Sequence, residues 1–386
     1  MTKIFSAENA FEYKTLTELK RAIFIFRIFR LKKLAYVLQH VLKLALFFKM
    51  PIGWAVKPNV YGHFVGGKSL EDCQKVIHRM AKYHVESILD YSVEGGDTDK
   101  AIQNAVDETM KSIEFAGNNK NVPFAVFKPS AMTYEWVLRQ ENRADLSQEV
   151  EKFRQRLFKL FEYAVSFDIP ILVDAEEVAW QPLIDQVVEE GMQRFNKEKS
   201  IVFQTLQMYR VDRLAYLQRL LKEARKAECF LGIKLVRGAY MEKERALAKK
   251  MNQKSPIYPT KDDTDKAYNK ALEICVENID IVSVFNGTHN PESCHFLAEL
   301  MKKKQLDNRN KNIYFVQLYG MSDDLSFGLA KMGYRVAKYV PYGPVKHVMP
   351  YLMRRAEENS SVSEQATREL DILNEELKRR KLKNIW

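Results

Sequence analysis

GIKLV at 232–236, running on into RGAY at 237–240, is the stretch on which the fold turns. Gly232, Ile233, Leu235 and Val236 form a short apolar, strand-favouring run in which Lys234 stands alone. Seven further runs share that character: Ser87–Tyr91, Phe124–Lys128, Pro170–Asp174, Val202–Leu206, Ile281–Phe285, Ile313–Leu318 and Arg335–Val340. Longer stretches with helical spacing separate them. Near-continuous apolar strands alternating with helices predict a parallel sheet covered on both faces. Eight such units in roughly 260 residues fit one closed (βα)8 barrel of the α/β class better than two domains. A doubly wound open sheet is the alternative, but no GxGxxG follows the first strand.

In a barrel of this type the residues at strand C-termini line the site. Here those ends are polar. The second run ends in Lys128 and the third in Asp174-Ala175-Glu176. The fourth leads to Gln207 and Tyr209, and the fifth holds Lys234 before Arg237, Gly238, Ala239 and Tyr240. The sixth ends in Asn286-Gly287-Thr288-His289-Asn290, the seventh contains Gln317 and ends at Tyr319-Gly320, and the eighth carries Tyr339. An uncompensated buried charge is costly, so the set points to a ligand site. Any one member alone reads equally well as a satisfied structural hydrogen bond or a surface ion pair. After the eighth run, Arg354, Arg355 and Glu358 fall on neighbouring helix faces. Paired guanidinium groups suit a carboxylate or a phosphate.

Composition narrows the classes. The chain has 386 residues and a net charge of +11. Ten Lys or Arg and no Asp or Glu lie between Leu19 and Leu70, leaving 51 basic against 50 acidic residues elsewhere. The excess belongs to an N-terminal arm, which weakens a nucleic-acid reading of the body. Four scattered cysteines without CxxC spacing read as reduced thiols, and the seven histidines show no HExxH pair, so no metal site is expected. Leu34–Leu42, the uncharged stretch within the arm's apolar repeat, is about half of the ~20 residues a spanning helix requires. Glu8, Glu12 and Glu18 argue against a transit peptide.

Thr15 to Glu18 has capping-box form and predicts a helix start. From Leu31, apolar residues recur at helical spacing through Leu34, Leu38, Val41, Ala45 and Phe48, and Pro51 ends the run. Two readings stay open for this arm: a helix packed on the body, or an anchor lying on a membrane surface. The expected organisation is an arm over 1–70, a barrel over 71–360 and a charged helix with a mostly solvated face over 361–386.

Lys128, Asp174 in VDAE, Gln207 in QMY, KLVRGAY at 234–240, GTHN at 287–290, YVPYG at 339–343 and RRAEEN at 354–359 together resemble proline dehydrogenase. The likeness runs from about Tyr61 to Asn359. It implies a distorted (βα)8 TIM-type barrel with its last helix over the barrel mouth. It implies FAD bound noncovalently, L-proline oxidised to Δ1-pyrroline-5-carboxylate with hydride transfer to flavin N5, and electrons passed to membrane quinone. On that resemblance Arg354, Arg355 and Lys128 clamp the proline carboxylate and Glu358 orients the Arg pair. Tyr339 and Leu318 wall the ring beside Tyr240, and Asp174 anchors the site by hydrogen bonds. Ala175, Gln207, Lys234, Val236, Arg237, Gly238, Ala239, Thr288, His289, Asn290 and Gln317 hold the flavin. Glu94 pairs with Arg354 when the site is empty. Lys234 departs from the bacterial bifunctional members, which place Arg near flavin N5, and agrees with the eukaryote-like ones. The chain lacks the aldehyde dehydrogenase half, so a separate pyrroline-5-carboxylate dehydrogenase acts downstream. The implied location is cytoplasmic, on the inner face of the cell membrane. Hydroxyproline dehydrogenase and a non-enzymatic membrane-binding degenerate barrel are the competing readings.

Overall fold

The computed structural model describes residues 11–31, 60–92, 98–345, 348–349, 352 and 363–383. These fall into two compact units, one joining the residues up to Ser87 with those from Gln317 onward, the other Ile88–Val316.

The eight expected runs are the eight strands: β1 Val85–Tyr91, β2 Ala125–Phe127, β3 Ile171–Val173, β4 Val202–Gln207, β5 Leu231–Val236, β6 Val282–Gly287, β7 Ile313–Leu318 and β8 Val336–Tyr342. They form one sheet in the order β1-β8-β7-β6-β5-β4-β3-β2. Its two ends are the consecutive strands β1 and β2, so the order is the cyclic order of a (βα)8 barrel. The expected fold class is the observed one. Every residue of β2, β3, β4 and β8 is buried. Burial of both faces explains why these strands read as continuous apolar runs.

Within Ile88–Val316, the ring of Phe124 meets those of Phe203 on β4, Phe285 on β6 and Tyr314 edge-on, at centroid distances of 5.5, 5.6 and 4.9 Å. These buried aromatic rings pack together as one layer of the interior. The intervening helices are amphipathic. The helix Leu146–Ser166 buries Phe153, Leu157, Phe161 and Ala164 on one face, at helical spacing.

In the other unit, the helix α1 (Leu16–Arg30) starts at the expected capping box. The Glu18 amide donates to Thr15 Oγ1 at 3.2 Å and the Thr15 amide donates to Glu18 Oε2 at 2.8 Å. Leu19, Ile23, Phe26 and Phe29 of α1 share a hydrophobic cluster with Ala366, Leu370 and Leu373 of the helix Ser363–Lys383. For these residues the arm packs as a structural helix. The stretch from Leu34 to Phe48 lies outside the described residues. Two charges on Ser363–Lys383 are buried. Glu369 is buried and accepts from the Ser322 amide at 2.5 Å, and buried Glu376 is held by Arg379 and Arg380 at 2.7 Å each. Charge alone could not reveal partners supplied by a distant loop. The four cysteines are free and buried.

Candidate active site

Strand register builds the centre of the site. Phe127 of β2 pairs with Val173 of β3, so the next residues, Lys128 and Asp174, emerge side by side. Pro129 follows Lys128 and favours the extended backbone found there, with φ −99° and ψ 120°. Lys128 Nζ donates to Asp174 Oδ2 at 2.8 Å. Lys234 of β5 reaches the other oxygen, Oδ1, at 2.6 Å. Lys128 also donates to Asp90 of β1 at 3.2 Å, and Ser92 Oγ donates to Asp90 Oδ2 at 2.8 Å. Four charges of alternating sign, Asp90, Lys128, Asp174 and Lys234, therefore form one chain. Lys234 Nζ also lies 5.4 Å from the centroid of the Phe285 ring. Burial works to raise the Asp174 carboxyl, but the two ammonium groups outweigh it and hold that carboxyl well below the usual carboxylate range.

Beside this chain, burial pushes the Glu176 carboxyl up against the opposing effect of its hydrogen bonds. It accepts from Ser130 Oγ at 2.6 Å and from Tyr240 OH at 3.0 Å, while Gln207 Nε2 donates to its backbone carbonyl at 2.7 Å. Ala175 sits between Asp174 and Glu176, partly exposed.

A second cluster surrounds Arg237. Its Nε donates to Asp265 at 2.6 Å, Nη1 to Thr288 Oγ1 at 2.5 Å and Nη2 to Ser293 Oγ at 3.0 Å. Its guanidinium lies 4.5 Å from the centroid of the Tyr268 ring, whose hydroxyl donates to Asn286 Oδ1 at 2.7 Å. Asn290 caps the helix Pro291–Lys303, accepting from the amides of Glu292 and Ser293. Gly238 has φ +131°, and a Cβ there would stand 2.4 Å from the Tyr209 ring. Both backbone and space therefore require glycine. Val236, Gly238, Tyr240 and His289 are partly exposed, and Ala239 is exposed.

The structure thus brings together Lys128, Asp174 and Lys234, and separately Arg237 and Thr288. Gln317, Leu318 and Tyr339 lie in the other unit. There Gln317 Oε1 accepts from Ser326 Oγ at 2.8 Å, and Tyr339 is buried with its carbonyl accepting from the Tyr319 amide at 2.9 Å. Arg354, Arg355, Glu358 and Glu94 lie outside the described residues. Sequence reasoning missed Asp90, Asp265, Tyr268 and Ser293. In VESILDY, Asp90 follows the polar Glu86 and Ser87, so no signal in the strand marks it.

The sequence model of the family described as proline dehydrogenase matches residues 73–368. The chain belongs to the proline dehydrogenase family. Among its relatives is a protein of Pectobacterium carotovorum subsp. carotovorum named "Carbapenem antibiotics biosynthesis protein CarD", 35% identical over 82% of this chain and 83% of that protein. Proline dehydrogenase 1, mitochondrial, of Dictyostelium discoideum is 29% identical over 86% of this chain and 66% of its own length. The Caenorhabditis elegans protein of that name is 39% identical over 61% of this chain and 39% of its own length. The chain thus spans between two fifths and two thirds of these two proline dehydrogenases. Among solved structures, proline utilization A from Bdellovibrio bacteriovorus inactivated by N-propargylglycine superposes with a TM-score of 0.73 at 20% identity, over 90% of this chain and 38% of that one. That likeness supports the barrel fold of this family member.

Proposed function

We propose that the chain oxidises L-proline to Δ1-pyrroline-5-carboxylate. The observation that carries this reading is the alternating chain Asp90–Lys128–Asp174–Lys234 at strand ends of a proline dehydrogenase family barrel. Proline brings a carboxylate and loses a hydride from C5 and a proton from nitrogen as the C5–N bond becomes double. Lys128, already held by two carboxylates, offers an ammonium in a fixed place to the substrate carboxylate. Arg354 and Arg355 complete the clamp and Glu358 orients them. Arg354→Met and Arg355→Met are each expected to weaken proline binding by about 1.5–3 kcal/mol, the value of a charge-assisted hydrogen bond. Titration with proline and with a carboxylate-bearing ring analogue checks this, and unchanged affinity in both variants counts against the clamp.

The donor set around Arg237 fits FAD. A guanidinium, two hydroxyls and the N-terminus of Pro291–Lys303 are what a diphosphate requires. Bound FAD supplies a two-electron acceptor for the hydride at N5. Arg237, Thr288, Gln207 and Lys234 would hold it. Purified protein is expected to be yellow and to release FAD on denaturation. A colourless protein that cannot take up FAD refutes the assignment.

Membrane quinone is the proposed final acceptor, with a separate dehydrogenase carrying the product onward. Contact with an anionic membrane is placed on the outer face of α1. There Leu16, Phe24 and Leu31 are 41%, 56% and 54% exposed, interleaved with exposed Lys20 and Arg27 at helical spacing. Among the described residues no helix is long and apolar enough to cross a membrane. Each basic residue near the lipid contributes ~1 kcal/mol. The double variant Lys20→Glu, Arg27→Glu is therefore expected to lose at least about tenfold in affinity for anionic vesicles, measured by sedimentation. Point substitutions are chosen because deleting residues 1–50 removes the buried face of α1 as well. Equal binding by both proteins confines the arm to a packing role.

A further inference from the structure

The unit containing β8 holds a buried charge cluster that the proposed reaction leaves without a task. Asp323 and Lys338 are 3% and 0% exposed. Asp323 Oδ1 lies 3.0 Å from Lys338 Nζ. Its other oxygen accepts from Tyr13 OH at 2.7 Å and lies 3.0 Å from Lys14 Nζ. Lys338 Nζ donates in addition to the carbonyls of Met321 and, at 3.4 Å, Leu318. One ammonium thus ties strand β8 to the backbone at the end of β7.

Two further contacts tighten the same corner. Tyr13 stacks on Phe327 at a centroid distance of 4.4 Å. His63 Nε2 lies 2.8 Å from the Gly320 carbonyl. Burial, aided by the charge of Lys14, holds that imidazole neutral, with its pKa lowered to about 3. A carbonyl can only accept, so the neutral ring carries its proton on Nε2. Gly320 has φ +83°, and a Cβ there would stand 2.5 Å from the His63 carbonyl oxygen, so no side chain fits between the segments.

The cluster lies next to the wall residues in sequence and in hydrogen bonding. Lys338 precedes Tyr339, so their side chains leave β8 on opposite faces. Leu318 supplies a carbonyl to Lys338, and the Tyr319 amide donates to the Tyr339 carbonyl at 2.9 Å. Burying Asp323 and Lys338 is tolerable only with partners in place. Tyr13 and Lys14, far away in the sequence, are among those partners.

We propose that Asp323 and Lys338, seated by Tyr13 and Lys14 of the N-terminal segment, are positioning residues for the substrate wall formed by Leu318 and Tyr339. This rests on the proline-oxidising reading above. The N-terminal segment is then part of the specificity apparatus as well as a packing element.

The test uses the full chain carrying Tyr13→Phe with Lys14→Met. KM for proline is expected to rise on the order of tenfold with kcat within about twofold, the pattern of weakened substrate holding. FAD content is expected to stay unchanged, and Lys14→Arg to keep the parent KM. Hydrogen exchange at the Tyr319 amide is expected to speed up in the double variant. If that variant does not fold, Tyr13→Phe alone removes a single hydroxyl and is expected to raise KM about two- to fivefold. An unchanged KM, or a loss of thermal stability with no change in KM, overturns the proposal. Unaltered Tyr319 exchange overturns it too, even if the parent chain proves inactive on proline. Absence of proline turnover in the parent chain instead overturns the underlying reading.

Discussion

Asp174→Ala is expected to lower kcat/KM for proline by about 150- to 5,000-fold, equivalent to the roughly 3–5 kcal/mol lost when one partner of a buried ion pair is removed. The reason is geometric. Both oxygens of Asp174 are engaged, one by Lys128 at 2.8 Å and one by Lys234 at 2.6 Å. Removal takes away the carboxylate that both ammonium groups had approached. They repel, and Lys128 leaves the place where it meets the substrate carboxylate. Steady-state turnover with an artificial quinone checks the prediction, and a loss under tenfold would show that Asp174 is only a packing partner. The sign of the pH effect follows from the depressed carboxyl. A group whose folded pKa lies below its unfolded value stabilises the fold above that unfolded value, about 3.9 for Asp. The contribution of Asp174 is therefore present at neutral pH and is lost as pH falls below about 4 toward its depressed folded value. Acid unfolding of the Asp174→Asn variant is expected to lose that part of its pH dependence.

Arg237→Met is expected to weaken FAD binding on the order of 100-fold, because more than one charge-assisted hydrogen bond of about 1.5–3 kcal/mol is lost. The side chain is held in advance on every edge by Asp265, Thr288 and Ser293 and on one face by Tyr268. Such holding lowers the ordering cost at the moment of binding. Fluorescence titration of apoprotein with FAD gives the affinity directly. Retention of flavin through dilution and gel filtration at the parent level would remove Arg237 from the cofactor site.

These residues were unequally visible before folding. The strands were legible because burial on both faces leaves an apolar run that no helical period imitates at such short length. Lys234 was legible for the complementary reason, as one ammonium within such a run. Asp90 was not. In VESILDY it follows Glu86 and Ser87, and nothing in linear order separates the residue that pairs with Lys128 from its neighbours. Asp265 and Tyr268 belong to KDDTDKAYNK, which reads as the ordinary acidic first turns of a helix. Their role depends on where that helix lies beside Arg237, a fact of tertiary placement. The corner around Lys338 was hidden likewise, since its partners at Tyr13 and Lys14 are some 320 positions away. Sequence periodicity reports which face is buried and says little about which distant ion meets which.

The shared hydrophobic cluster of α1 and the helix Ser363–Lys383 has a consequence for how the chain is made. On the ribosome, α1 emerges early with Leu19, Ile23, Phe26 and Phe29 ready to be covered. Their cover includes Ala366, Leu370 and Leu373, synthesised roughly 345 residues later. At about 5–20 residues per second the nascent chain carries that stripe without its helical cover for on the order of 20 to 60 seconds. Throughout that interval the same stripe is open to holding chaperones or to a nearby lipid surface. Closure of the cluster then waits for the helix Ser363–Lys383 to leave the exit tunnel.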